Sequence, residues 1–222
     1  STAYSANRQY ILKQVKKAQD FISQTANSID KPTAVAYSGG KDSLGTLLLV
    51  YSVLGPSFRI FFADTGLELP EVLNNIEDIA VTFQMQDQLI MKSAGDTFWS
   101  LFDTFGPPGR DYRYCCHSLK AQNITAIIEE LAQDDKILVF LGQRQYESLT
   151  RARSKMIYTN SFIPQQIAAT PIKKWPSLLL WLVILYHPFQ FYQKLPNING
   201  PHQLPITPLY FEGHERLGCY LC

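Results

Sequence analysis

Residues 34–54 read AVAYSGGKDSLGTLLLVYSVL, and this one stretch does most to limit the fold. A short apolar run ends in Ser-Gly-Gly and is followed, over 44–54, by a second apolar run of helical length. A buried strand that turns sharply into a helix has this appearance. The pattern recurs downstream. Residues 60–63 predict a second strand and 69–79 a helix, with Pro70 suited to its first turn. Residues 81–84 predict a weaker third strand. Ile124, Ile127, Ile128 and Leu131 line one helix face, and 137–141 predict another buried strand. Upstream, Ile11, Val15, Ala18 and Ile22 recur at helical spacing, so 8–28 reads as an amphipathic helix. Strands that are apolar throughout and alternate with helices imply an α/β fold with a parallel sheet covered on both faces.

Composition divides the chain. Prolines become frequent beyond residue 160 (Pro164, Pro171, Pro176, Pro188, Pro196, Pro201, Pro205 and Pro208). The expected organisation is an N-terminal helix (1–29), a nucleotide-binding α/β core (30–160) and a loop-rich C-terminal extension (161–222). The run LLLWLVILY at 178–186 is far shorter than the roughly 20 residues needed to span a bilayer and reads as a buried helix. The first residues lack the apolar stretch of a signal peptide, so the expected location is the cytoplasm, away from membranes. A formal net charge of +1 gives no basic excess that would point to nucleic acid.

Ligands of parallel sheets bind beyond the carboxyl ends of the strands. Three predicted strand ends carry polar residues: 38–43, 64–66 and 142–147. In the first, Gly39 and Gly40 allow a tight turn and a close approach to an anion. The amides after them and the N-terminus of the next helix face a phosphate. Ser38 and Ser43 offer hydroxyls, and Lys41 a positive charge. Asp42 is suited to holding Mg²⁺ or capping the helix. The spacing is not that of a Walker A loop.

The hexapeptide SGGKDS resembles the PP-loop of the ATP pyrophosphatase superfamily, whose common fold is a doubly wound parallel sheet of the adenine nucleotide alpha hydrolase type. Asp64-Thr65-Gly66 with Pro70-Glu71 is similar to the segment found in its phosphoadenosine phosphosulfate (PAPS) reductase and ATP sulfurylase branch. So is Gly142-Gln143-Arg144 with Glu147, Ser148 and Arg151. Pro171, Trp175, Pro205, Pro208-Leu209-Tyr210 and Gly218-Cys219 resemble that branch's C-terminal stretch, whereas 155–200 matches weakly. The resemblance implies nucleotide binding by 38–43, by Asp64, Thr65 and Gly66, and by Gly142, Arg144, Glu147 and Arg151. Arg144 and Arg151 are candidate anion clamps, because a guanidinium binds oxygens bidentately. Lys41, Asp42 and Arg144 are the candidate catalytic residues.

The four cysteines form two tight groups, Cys115-Cys116 and Cys219-x-x-Cys222. In a cytoplasmic protein such groups point to metal or redox chemistry more than to disulfides. The layout resembles the ligand set of a [4Fe–4S] cluster in adenylyl-sulfate (APS) and PAPS reductases. Four-thiolate zinc has the same count, but zinc sites usually draw on two Cys-x-x-Cys knuckles.

Two enzyme readings follow. One is ATP-dependent adenylation with pyrophosphate release, which the retained Lys41 favours, with ATP and Mg²⁺ at the loop. The other is reduction of APS or PAPS with a thioredoxin-like reductant, although the Glu-Cys-Gly cysteine usual in such reductases is absent from this sequence. A tRNA thiolation enzyme fed by a sulfur donor, or a non-catalytic nucleotide-binding cluster protein, is the third expectation, and the balanced charge gives RNA contact no support. The sequence leaves the oligomeric state open.

Overall fold

The computed structural model describes residues 2–109, 112–133, 135–196, 198–215 and 217. In chain order its main elements are α1 (Thr2–Ala6), α2 (Arg8–Ile29), β1 (Thr33–Ala36), α3 (Lys41–Leu54), β2 (Arg59–Asp64), α4 (Pro70–Thr82) and β3 (Leu89–Ser93). Then come α5 (Thr97–Phe105), α6 (Gln122–Ala132), β4 (Ile137–Leu141), α7 (Leu149–Arg153), β5 (Ile157–Thr159), β6 (Gln166–Ala169) and α8 (Ser177–Tyr186).

The strands form one sheet in the order β3-β2-β1-β4-β6-β5. All neighbours are parallel except β5, which runs antiparallel to β6. The chain winds from β1 out to β3, then returns to the far side of β1 to lay down β4. The reversal falls between β1 and β4, where Val35 is in register with both Ile60 and Phe140. Loops that leave a parallel sheet on either side of such a reversal part and open a crevice.

Strand alternation explains the two covered faces. Val35, Ile60, Phe62, Leu138 and Phe140 pack with the apolar sides of α2, α3, α4 and α8. Ala34, Phe61, Ala63, Ile137 and Val139 pack on the other face with Ile127, Ile128 and Ala132 of α6. Helix α3 is enclosed, with every residue from 43 to 50 buried. Helix α8 buries Leu180, Val183 and Ile184 completely, as expected of a helix apolar around most of its circumference.

Two expectations are corrected. Residues 81–84 are not a strand: Val81 and Thr82 complete α4, and Gln84 reverses the chain at φ 55°. Phe83 and Met85 are fully buried, so their apolarity serves to plug the core beneath the helix end. The third strand is β3, at the sheet edge. The division at residue 160 is not a break in the sheet either. Strand β6 lies between β4 and β5, so the C-terminal part of the chain supplies an interior strand and helix α8 before it becomes a succession of short 3₁₀ turns. Among the described residues, no helix is long and apolar enough to cross a membrane.

Candidate functional site

The loop between β1 and α3 has the geometry of an anion cradle. Gly39 turns it at φ +71°, a conformation with little penalty only for glycine. Gly40 is the N-cap of α3 and Lys41 its first residue. The Ser43 hydroxyl folds back to the Gly40 carbonyl at 2.8 Å and accepts the Ser38 N–H at 3.1 Å, while the two serine hydroxyls lie 3.2 Å apart. These bonds hold the turn open. The amides of Gly40, Asp42 and Ser43 have no hydrogen-bond partner among the described residues. Together with the helix dipole they favour negative charge at this point.

Lys41 and Asp42 do not hang free at the rim. The Lys41 side chain is buried, its Nζ 3.4 Å from Asp42 Oδ2 and 2.8 Å from the Glu215 carbonyl oxygen. The Arg144 Nε donates to Asp42 Oδ1, and its Nη1 reaches the Trp175 carbonyl at 3.5 Å. Asp42 thus bridges two cations and does not cap the helix. Arg144 is buried and does not line the cavity described below, so it positions Asp42 and is not the open anion clamp expected of it. Gly142 explains why Arg144 can reach so far. A Cβ at 142 would lie 2.5 Å from the Asp42 carbonyl carbon and 2.6 Å from the Ser43 nitrogen. The end of β4 is therefore pressed against the first turn of α3.

A cavity of about 1020 Å³ opens at the β1/β4 reversal. Of the residues expected in the site, Ser38, Gly40, Lys41, Asp42, Ser43, Gly142, Glu147, Arg151 and Cys116 line it. Glu147 is fixed from two sides. It accepts the Arg144 N–H at 2.8 Å and pairs with Arg151 at 2.5 Å. Burial alone pulls its carboxyl upward, but the Arg144 N–H and the Arg151 charge together hold it below the ordinary value. Sequence reasoning assigned no role to several residues lining the cavity. They include Tyr158, whose hydroxyl donates to Gln143 at 3.1 Å, as well as Asn160, Phe162 and Tyr210. Tyr158, Asn160 and Phe162 come from β5 and the turn that follows it, and Tyr210 from the 3₁₀ turn Pro208–Glu212.

The segment after β2 behaves differently. Asp64, Thr65 and Gly66 do not line the cavity. The Asp64 carboxylate accepts the Gly66 N–H at 2.8 Å and the Ser93 hydroxyl at 2.6 Å, and Glu68 accepts the Thr65 N–H at 2.9 Å. Burial and the bond with Asp64 push Glu68 above its ordinary carboxyl range. Asp64 is held below its own range, against the effect of burial, by bonds with Glu68, Ser93 and Gly66.

Cys115 and Cys116 lie where a π-helical turn, Cys116–Ala121, runs directly into α6. Both are free thiols, and Cys116 faces the cavity together with Arg113, His117 and Lys120. Burial and the neighbouring Cys115 raise the Cys116 thiol, while Arg113 and Lys120 pull it down. Cys219 and Cys222 fall outside the described residues. Among those described, no group of three or more His, Cys, Asp or Glu side chains is arranged to hold a metal ion.

The match to known proteins agrees with this architecture. The phosphoadenosine phosphosulfate reductase domain matches residues 32–222. The chain belongs to that family. A second line of similarity runs to two uncharacterised proteins of Methanocaldococcus jannaschii, 38% identical over 217 residues and 29% identical over 187. These comparisons cover 98% and 84% of the chain but only 41% and 40% of those proteins. The chain thus spans about two fifths of their length.

Solved structures in and around the reductase family share the fold. The phosphate complex of phosphoadenylyl-sulfate reductase from Candida auris superposes with a TM-score of 0.62 at 14% identity, covering 96% of both chains. Candida glabrata FMN adenylyltransferase in complex with FAD and inorganic pyrophosphate gives 0.63 at 17% identity, over 95% of this chain and 62% of that one. The NH3-dependent NAD synthetase of Campylobacter jejuni gives 0.55 at 14% identity, over 78% and 72%.

Proposed function

We propose that the chain binds the polyphosphate of an adenine nucleotide at residues 38–43 and transfers the adenylyl group to an acceptor, releasing pyrophosphate. The observation that carries this reading is the cradle itself. Unpartnered α3 amides and a buried lysine face a cavity large enough for a nucleotide, at the reversal point of the sheet. An acceptor oxyanion attacks the α-phosphorus, and the bond to the oxygen bridging to the β-phosphorus breaks. The departing pyrophosphate gains charge, which the amides of Gly40, Asp42 and Ser43 and the Lys41 ammonium stabilise. Such preorganised donors are often the largest contribution to catalysis. Asp42 is the carboxylate of the loop suited to Mg²⁺, and Arg144 holds it in place. Arg151, at the cavity wall, is the residue suited to a further anionic group. The fold shared with an adenylyltransferase crystallised with pyrophosphate supports the reading.

Cys115 and Cys116, with Cys219 and Cys222, are the residues that would hold a [4Fe–4S] cluster. The described pair supplies two adjacent thiols, and Arg113 and Lys120 oppose the upward pull that burial and Cys115 exert on the Cys116 thiol. When bound, a cluster would supply electron or sulfur transfer. Iron and sulfide analysis of anaerobically purified protein distinguishes it from zinc.

The decisive assay is pyrophosphate release from ATP and Mg²⁺ across a panel of oxyanion acceptors. Release that disappears in Lys41→Ala supports adenylation. ATP binding with no turnover on any acceptor rejects it. Family membership favours one second reading, sulfonucleotide reduction at the same cavity, which predicts sulfite release from APS or PAPS with thioredoxin.

A further inference from the structure

Two of the loop's donors, the Lys41 N–H and the Lys41 ammonium, already donate to one segment of the chain. Residues 205–215 cross the N-terminus of α3 as a strap. At its root, the Asn75 side-chain amide donates to the Pro205 carbonyl and the Thr207 hydroxyl donates to the Gly39 carbonyl at 3.1 Å. Thr207 is buried. These root bonds end on carbonyl oxygens, which an anion has no reason to contest. The tip is different. The Tyr210 hydroxyl oxygen accepts the Lys41 N–H at 2.8 Å, and the Glu215 carbonyl accepts from Lys41 Nζ at 2.8 Å. The Lys41 ammonium also lies 5.4 Å from the centre of the Tyr210 ring. Tip and ligand thus compete for the same two donors.

We infer that Tyr210 is a gate on the phosphate loop. Its hydroxyl occupies the place of a phosphate oxygen at the start of α3, and polyphosphate binding expels it and lifts residues 208–215 while 205–207 stay anchored. The inference rests on the nucleotide reading above and adds its regulation. The direction of the exchange follows from charge. A hydroxyl and a carbonyl are neutral acceptors, whereas a phosphate oxygen makes charge-assisted bonds of about twice the strength. The strap closes the loop when no anion is present and yields when one arrives. A ligand must displace the two tip bonds before it can use the Lys41 donors, so the strap lowers apparent affinity by the fraction of time it is open.

The sign of one substitution tests this. Tyr210→Phe keeps the ring against Trp181, now 5.1 Å away edge-on, and removes only the competing oxygen. With inorganic pyrophosphate as the probe in calorimetry, the variant should bind about threefold to tenfold more tightly than the parent, the worth of one net hydrogen bond. In the parent protein, pyrophosphate should also speed chymotrypsin cleavage after Phe211 several-fold. Unchanged or weaker binding by Tyr210→Phe would overturn the gate while leaving the phosphate loop intact, because the hydroxyl would then be a bystander or a ligand contact. Cleavage slowed by pyrophosphate would also overturn it, since the strap would be closing on the ligand. Absence of pyrophosphate binding in both proteins would overturn the loop reading and the gate together.

Discussion

The segments after β1 and β2 look alike in sequence and have opposite chemistry. Each is a strand end that runs through an acidic or hydroxyl residue and a glycine into a helix. After β1, three amides face a cavity with no partner among the described residues. After β2, the Asp64 and Glu68 carboxyls are spent on Gly66, Ser93 and Thr65, and the segment lies away from the cavity lining. A glycine turn that satisfies itself braces the fold, whereas one that leaves donors facing a void is ready for a ligand.

Substitutions should separate the two segments. The largest expected effect is that of Lys41→Ala on pyrophosphate affinity, a loss of roughly 10–100-fold, the range for a charge-assisted bond. Calorimetry checks it, and a loss under twofold would make the two segments equivalent. Next is Gly142→Ala, whose Cβ would meet the Asp42 backbone at 2.5 Å. It should cost about 1–3 kcal/mol of stability, as overpacking does, and weaken pyrophosphate binding as well, because the α3 first turn must shift. Chemical denaturation and titration on the same sample would check both.

The smallest expected effect is at Glu68. Burial and the Asp64 bond raise its folded-state pKa above the ordinary glutamate value of about 4.5. Its favourable contribution is therefore complete at pH below about 4.5 and is lost as pH rises through the raised value. Glu68→Gln should melt higher than the parent near neutral pH, with the gap closing toward pH 4, and pyrophosphate affinity should not change. A change in affinity would place the β2 segment in the site after all.

Much of this was legible in the sequence because it is local. The core strands β1, β2 and β4 are apolar runs, and 38–43 carries its turn, donors and charge within six residues. Strand β3 was misplaced by about eight residues because Phe83 and Met85 are more apolar than the half-exposed edge strand LIMKS, and buried plugs and buried strands look the same over so short a span. Strand β6, QIAA, is too short to announce itself among prolines. In the site, the residue types were right where the local turn decides them. What could not be read was direction across the chain. Arg144 turns to Asp42, 102 residues away in sequence, and Tyr210 reaches Lys41 from 169 residues away. Such pairings depend on sheet order and close approach, which no short window contains.

The π-helical turn at Cys116–Ala121 has a consequence for register. A π turn holds one residue more than the α-helical turn it replaces. An extra residue in a helix that stayed α-helical would rotate everything before it by about 100° around the axis, whereas a π turn takes up that residue within one widened turn and keeps both flanks on their faces. Without that widening, the same sequence would swing Cys116 and His117 off the cavity wall while the hydrophobic face of α6 kept its grip on the sheet. The widened turn lets one helix serve the core along one part of its length and present a thiol to the cavity along another.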